Sequence, residues 1–131
     1  MSALQAAGLW AALLILWLVA LSLRVMIGRR TMRIALGDGK AGELTTRSRA
    51  FGNAAEYAPL MIGALILMAQ LGASPTEIHV AGGAFLLGRL LHAPGMAMKA
   101  PNLPRAAGMV LTWLSLIGAA AVILIAVAGM G

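Results

Sequence analysis

The sequence predicts an all-α integral membrane protein built as a four-helix bundle, and three observations support that prediction. Of its 131 residues, 61% are hydrophobic and only 11% are charged, whereas a soluble domain carries about a quarter charged residues. The apolar residues form four long blocks, and about 20 apolar residues suffice for a helix to cross a bilayer. Polar residues are too few to coat such a chain against water, so lipid is its expected solvent.

The four predicted spans form a single domain over residues 1–131 and cover about residues 3–26, 47–71, 76–92 and 105–128. The first block has no preceding basic segment and is too long for a signal peptide, so we expect it to be retained as a span. The third block is the shortest and the most polar, and we expect Pro94 and Gly95 to end it near His92.

The positive charge is confined to two connections and the helix ends beside them. All ten Lys and Arg residues lie within or next to residues 27–46 and 93–104, whereas both chain ends and the turn at Gly72 have none. The first connection also contains a turn signal over residues 37–39. The positive-inside rule therefore predicts an inner-membrane protein with both connections in the cytoplasm and both termini outside. Because the basic residues mark topology, nucleic-acid binding is not expected.

The chain has no cysteine, which excludes disulfides, zinc–thiolate sites and cysteine nucleophiles. Its nine methionines suit flexible packing better than metal binding, so we predict no metal site. Any thiol chemistry must use a thiol that a ligand brings.

The second span carries the densest group of polar side chains. At about 100° per residue, Asn53 lies about 40° from Arg49 and Glu56 about 20° to the other side, with Tyr57 on the flank. Ionisable groups in a span usually face the bundle interior. We therefore expect a polar ladder that descends from the cytoplasmic surface into the bundle.

Two further groups fall at the same level of the predicted bundle. Arg89 and His92 share one face of the third span because they are three residues apart, and Arg105 opens the fourth. Such a set suits a small zwitterionic or anionic ligand, with arginines on its carboxylates, Glu56 on its ammonium and Asn53 on its amides. A lipid-facing cleft beside it would admit an apolar co-substrate.

A purely structural interpretation also exists for these residues. Arg49 could extend to the membrane interface, and an arginine elsewhere in the bundle could satisfy Glu56. His92 could bond the last carbonyls of its helix. Glu77 and His79, at the other end of the third span, are interpreted as structural or interfacial.

The stretch from Arg49 to Leu60, RAFGNAAEYAPL, resembles the signature of the MAPEG superfamily (membrane-associated proteins in eicosanoid and glutathione metabolism). The second span of that family reads Arg, three residues, Asn, two residues, Glu, often Tyr, and then Pro. Arg89-Leu-Leu-His92 resembles the Arg-x-x-His of its prostaglandin-forming branch, and Arg105 falls where the family places an arginine. The basic run at Arg29-Arg30 resembles the end of the family's first span. The match looks closest to small bacterial members.

The resemblance implies a homotrimer with glutathione sites between protomers, facing the cytoplasm. It implies a glutathione-dependent transferase or peroxidase that conjugates or reduces lipophilic electrophiles. The residues implied to bind glutathione as co-substrate are Arg30, Arg49, Asn53, Glu56, Tyr57, Arg89 and His92. Arg105 is implied as the catalytic residue that stabilises the thiolate.

One position departs from the synthase pattern, in which a tyrosine follows the Arg-x-x-His by four residues; here that position is Met96. This departure favours a second hypothesis, a non-catalytic ligand-binding or structural protein of the same family. A third hypothesis is a small four-span transporter. In exporters of similar length the carboxylate lies in the first span, and here that span has none.

Overall fold

The computed structural model describes residues 1–37 and 42–129, and the described chain consists of helices and short connections. The helices are α1 (Ala3–Met32), α2 (Gly42–Gln70), α3 (Pro75–Gly95) and α4 (Leu103–Ala128). The prediction of an all-α four-helix bundle is confirmed. The turn predicted over residues 37–39 and the basic residue Lys40 reach into residues 38–41, which lie outside the described residues.

Three of the helices, α1, α2 and α4, are long and apolar enough to cross a membrane, judged by length and composition. The third helix, α3, has 21 residues and does not belong to that group. It carries Glu77, His79, Arg89 and His92, which dilute its apolar composition. It nevertheless packs against all three other helices.

The helices extend past the apolar blocks because backbone hydrogen bonding continues where apolar composition stops. The first helix runs on to Met32, and the second begins at Gly42, well before the apolar block. The third helix continues to Gly95, three residues beyond the end expected near His92. Pro94 has no N–H to donate to the helix, and the Met96 N–H nevertheless closes the last turn on the His92 carbonyl oxygen at 3.0 Å.

Side chains close the helix starts. Ser2 and Ser74 each form a capping box, with Gln5 and Glu77 respectively, in which two backbone N–H groups at the helix start are satisfied reciprocally. The structural interpretation of Glu77 is thereby supported. Asn102 accepts a 3.0 Å bond from the Arg105 N–H at the start of α4.

Successive helices run antiparallel. Near the end of α1, the Arg24 carbonyl accepts a 3.1 Å bond from Arg47, near the start of α2. The last residue of α3, Gly95, packs on the Arg105 backbone at the start of α4.

The antiparallel arrangement gives the bundle two distinct ends. The end formed by the C-termini of α1 and α3 and the N-termini of α2 and α4 is called the basic end here. No Lys or Arg lies in residues 1–23, 50–88 or 106–131.

The core is built in two parts. The larger cluster contains Leu14, Met61, Leu65 and Phe85, all fully buried. A smaller cluster near the basic end consists of Leu21, Ala50, Ala54 and Ala93. Large apolar side chains also cover the outer surface of the helices, as expected of a protein whose solvent is lipid.

The two helices α3 and α4 approach closely at a pair of glycines. A Cβ on Gly108 would lie 2.6 Å from the Gly88 carbonyl oxygen and 2.7 Å from the His92 nitrogen. Both are backbone atoms that cannot give way without moving a helix. Small residues at such a crossing let helices pack tightly in lipid.

Candidate functional site

A buried arginine links three helices of the bundle. Arg89 of α3 is 1% exposed, although arginine is almost never fully buried without partners. Its Nη1 donates to Asn53 Oδ1 of α2 at 2.7 Å, and its Nη2 donates to Thr112 Oγ1 of α4 at 2.6 Å. A weaker contact joins Nη2 to Met109 Sδ at 3.5 Å. One guanidinium thus ties together three helices.

The partners of this cation are neutral. Its guanidinium carbon lies 5.6 Å from the Tyr57 ring centroid and 5.9 Å from that of Phe85, within the range of cation–π attraction. In the described ranges 1–37 and 42–129, no carboxylate forms an ion pair with Arg89, and its Nε has no hydrogen-bond partner there. Hydrogen bonds and ring faces, rather than a counter-charge, stabilise the buried charge.

The predicted arc of Arg49, Asn53 and Glu56 is present, but it faces outward from the protomer. Arg49 and Glu56 are exposed and Asn53 is half-buried. Among the described residues, neither the side chain of Arg49 nor that of Glu56 has a hydrogen-bond or ion-pair partner. The expectation that the whole ladder descends into the interior of the bundle is therefore wrong for a single protomer.

The physical reason is the composition of the opposite face of α2. Ala50, Ala54 and Ala58 are buried and pack toward the neighbouring helices. Small side chains allow this close approach, which turns the long polar side chains outward. Of the α2 side chains in the described chain, Asn53 within the arc and Tyr57 on its flank reach Arg89. Glu56 lies at the midpoint of α2 (Gly42–Gln70), so its exposed carboxylate is far from either helix end.

His92 and Arg105 lie closer to the basic end. His92 is 4% exposed, and its backbone and Cβ contact Gly108 of α4. The Arg105 side chain is exposed, whereas its backbone packs on Gly95. In the described part of the chain, no hydrogen bond joins either residue to the Arg89–Asn53 pair.

Arg30 is exposed in the last turn of α1. It lines a shallow surface depression with Arg29, Arg33, Met26 and Ile34. The lining comes from α1 and the segment after it and includes no residue of α2.

Met96 follows the last turn of α3 and packs, partly buried, against the smaller core cluster around Leu21 and Ala93. The position that departs from the synthase pattern is thus filled by an apolar packing residue.

An apolar cleft of about 440 Å³ lies between α3 and α4, lined among others by Val80, Ala84, Leu111 and Val122. It runs toward Thr76 at the start of α3 and does not border Arg49 or Glu56. In the protomer alone, the apolar cleft expected beside the polar residues is therefore in the other half of the bundle.

A second polar contact, near the end opposite the basic end, joins α1 to α3. The Trp10 indole N–H donates to His79 Nδ1 at 3.1 Å, and the two rings meet edge to face. The Trp10 ring fits against Gly82, where a Cβ would lie 2.4 Å from Trp10 Cγ. The structural interpretation of His79 is thereby supported.

Sequence reasoning missed Thr112, which is fully buried and completes the environment of Arg89. A threonine in a span gives little signal, because its hydroxyl can bond its own helix. Thr112 does so, donating to Gly108 O at 2.8 Å, and it still accepts from Arg89. The glycine pair at the α3–α4 crossing was also missed.

These features define an all-α integral membrane protein with a buried arginine that joins three helices and a charged face on its second helix. Residues 7–125 match the MAPEG family, and the chain belongs to that family. The chain is 37% identical over 109 residues to the inner membrane protein YecN of Escherichia coli strain K12, covering 83% of this chain and 82% of that protein. The same protein from E. coli O6:H1 strain CFT073 gives the same values. The sequence-based resemblance is confirmed.

Proposed function

We propose that this protein is a membrane-embedded glutathione-dependent transferase or peroxidase that acts on hydrophobic electrophiles. The observation that supports this proposal most is the presence of two opposite, exposed charges on α2, which do not pair with each other. Arg49 and Glu56 lie two helical turns apart on one side of a membrane-length helix. Within the described chain, both lack a partner.

A charged side chain within a membrane is costly unless it faces a cavity, a partner or water. An exposed carboxylate at the midpoint of α2 therefore needs a covering group that the protomer does not supply. A homotrimer provides one, because each copy can place its α2 face against its neighbour and enclose a polar site between them. In such an assembly Arg30, on a separate surface of the protomer, can contribute from the adjacent copy.

The charges on this face fit glutathione, which carries carboxylates at both ends, an ammonium and two peptide groups. Arg49 suits a carboxylate, Glu56 suits the ammonium, and Asn53 and Tyr57 offer hydrogen bonds to the peptide groups. With the basic end in the cytoplasm, this face is open to the compartment that contains glutathione. In this topology all four helices cross the inner membrane and both termini lie outside.

The proposed chemistry is attack by the glutathione thiolate. A nearby cation lowers the pKa of a thiol from about 8.5, and Arg105 is the residue to which we assign that role. In conjugation of an aryl halide, sulfur forms a bond to carbon, the halide leaves with the bonding electrons, and the thiol proton passes to solvent. In the peroxidase reaction, two glutathione molecules are oxidised to a disulfide while a hydroperoxide is reduced to an alcohol and water.

Binding of glutathione to the purified protein in detergent tests this proposal. Wild type should bind, and Arg49→Ala and Glu56→Gln should each weaken binding at least about tenfold, or about 1.4 kcal/mol. Arg24→Ala and Glu43→Gln are matched controls, since they remove the same charges from exposed residues outside the arc. Controls that weaken binding as much as the arc variants would contradict the proposed site.

The second candidate is a non-catalytic ligand-binding or structural protein of the same family. Met96 favours it, because a packing methionine occupies the position of a synthase tyrosine. Glutathione binding without conjugation of a model aryl halide or reduction of an alkyl hydroperoxide would support this candidate. Proton-coupled flux in liposomes that depends on Glu56 would instead indicate a small transporter.

A further inference from the structure

The chemistry of the Arg89 contact fixes how the Asn53 amide is oriented. A guanidinium has only donors, and the asparagine amide has one acceptor atom, its carbonyl oxygen. The atom of Asn53 that lies 2.7 Å from Arg89 Nη1 must therefore be Oδ1, as observed. In the flipped amide, the NH2 group would face the guanidinium N–H groups. Two donors would then meet without an acceptor, which excludes the flipped orientation.

The NH2 end of this amide is not engaged by the protein. With Oδ1 engaged, Asn53 Nδ2 has no hydrogen-bond partner in the described part of the chain, and it is not among the buried unpartnered atoms. Asn53 is half-buried and lies one turn from each of the exposed residues Arg49 and Glu56. The position therefore offers the free Nδ2 N–H donors to a ligand.

Further contacts fix the conformation of the Arg89 side chain. Its other Nη atom donates to Thr112 Oγ1, whose own proton is committed to the Gly108 carbonyl. Thr112 is thus held as an acceptor for Arg89. The ring faces of Tyr57 and Phe85 flank the guanidinium, and the side chain is 1% exposed.

We propose that Arg89 is a positioning residue that orients the Asn53 amide with its Nδ2 N–H groups free for the ligand, and so selects a carboxylate or peptide carbonyl oxygen of the ligand at this point. The inference rests on the proposed function. Arg89 does not itself touch the ligand. Its charge acts through the amide, since a cation bonded to Oδ1 polarises the N–H groups on the far side.

Substitution of Asn53 by Asp separates this proposal from a structural role. The carboxylate of Asn53→Asp keeps the bond to Arg89 and adds a counter-charge, so the fold is retained, but an oxygen replaces the Nδ2 donor. We expect the ligand-free thermal stability to be unchanged or raised and the Kd for glutathione to rise at least about tenfold. Binding within about twofold of wild type in a folded Asn53→Asp variant would overturn the proposal.

Two variants of Arg89 test the positioning itself. Lysine also has only donors, so Arg89→Lys should keep the orientation of Asn53 and bind glutathione within a few-fold of wild type. Glutamine offers both a donor and an acceptor, so Arg89→Gln should let the amide flip and weaken binding at least about tenfold. Equal binding by Arg89→Lys and Arg89→Gln would contradict the inference.

A spectroscopic readout does not require the ligand. The chain contains two asparagines, Asn53 and Asn102, so protein labelled with ¹³Cγ and ¹⁵Nδ2 asparagine gives two side-chain amide signals, and Asn53→Asp assigns them by deletion. We expect Arg89→Gln, but not Arg89→Lys, to move the Asn53 signal markedly while the Asn102 signal stays in place. If wild type binds no glutathione, the proposed function fails. If the Asn53 signal is the same in Arg89→Gln as in wild type, the positioning role is overturned.

Discussion

The 2.7 Å hydrogen bond from Arg89 to Asn53 joins the buried centre of the protomer to its exposed charged face. On one side of the bond lies a cation with neutral partners from α2, α3 and α4. On the other lies an amide flanked by Arg49 and Glu56. A single side-chain contact thus connects the packing of the bundle to the face that we assign to the ligand.

The Arg89–Asn53 bond should contribute measurably to stability. Asn53→Leu leaves the Arg89 Nη1 donor buried without an acceptor, and an unmade bond of this kind costs about 1–3 kcal/mol. Unfolding of the purified protein in mixed micelles of increasing SDS content measures the change. An Asn53→Leu protein as stable as wild type would show that water or lipid satisfies Arg89 instead.

The crossing of α3 and α4 should not tolerate a methyl group. Gly108→Ala places a Cβ 2.6 Å from the Gly88 carbonyl oxygen, and overpacking of this kind costs about 1–3 kcal/mol. Gly118→Ala in the same helix is the matched control, because nothing lies within 4 Å of its Cβ. The same unfolding assay should show a loss for Gly108→Ala and none for Gly118→Ala, and equal stabilities would refute the close crossing.

The contact between Trp10 and His79 should appear as a coupling energy. A double-mutant cycle with Trp10→Phe and His79→Phe should give about 0.5–1.5 kcal/mol for the hydrogen bond. Because the pair is far from the basic end, glutathione binding should be the same in all four proteins. A coupling energy near zero would mean that the bond is replaced by solvent in both single variants.

The sequence predicted well how the polar residues of α2 lie relative to one another, but it predicted poorly which way the helix turns them in the bundle. Helical periodicity placed Arg49, Asn53 and Glu56 on one side of α2, and they share that side in the structure. Periodicity gives angles between residues but not the direction in which the helix turns them. In this helix the buried face consists of Ala50, Ala54 and Ala58, and alanine gives a weaker burial signal than leucine does.

Contacts between distant elements were the least predictable. The pairing of Arg89 with Asn53 depends on how α2 and α3 are placed side by side, and the contribution of Thr112 depends on the glycine crossing with α4. The spacing of residues along the chain predicts neither contact. Spacing did indicate a polar group on the second and third helices, and of that group the structure brings Asn53, Tyr57 and Arg89 together.

The predicted topology can be tested with single cysteines, because the chain has none of its own. A thiol reagent that does not cross membranes should label Ser2→Cys and Gly129→Cys in intact spheroplasts. It should label Ala35→Cys, near the basic end, only after the membrane is broken. Labelling of Ala35→Cys in intact spheroplasts would reverse the orientation and place the charged face away from cytoplasmic glutathione.

The central claim is that the exposed face of α2 closes a glutathione site between copies of this chain. Native mass spectrometry of the detergent-solubilised protein with glutathione tests it directly, since one spectrum reports both protomers and bound ligands. We predict trimers that carry up to one glutathione per protomer, and trimers without ligand for Glu56→Gln. Monomers, or wild-type trimers that carry no glutathione, would contradict it.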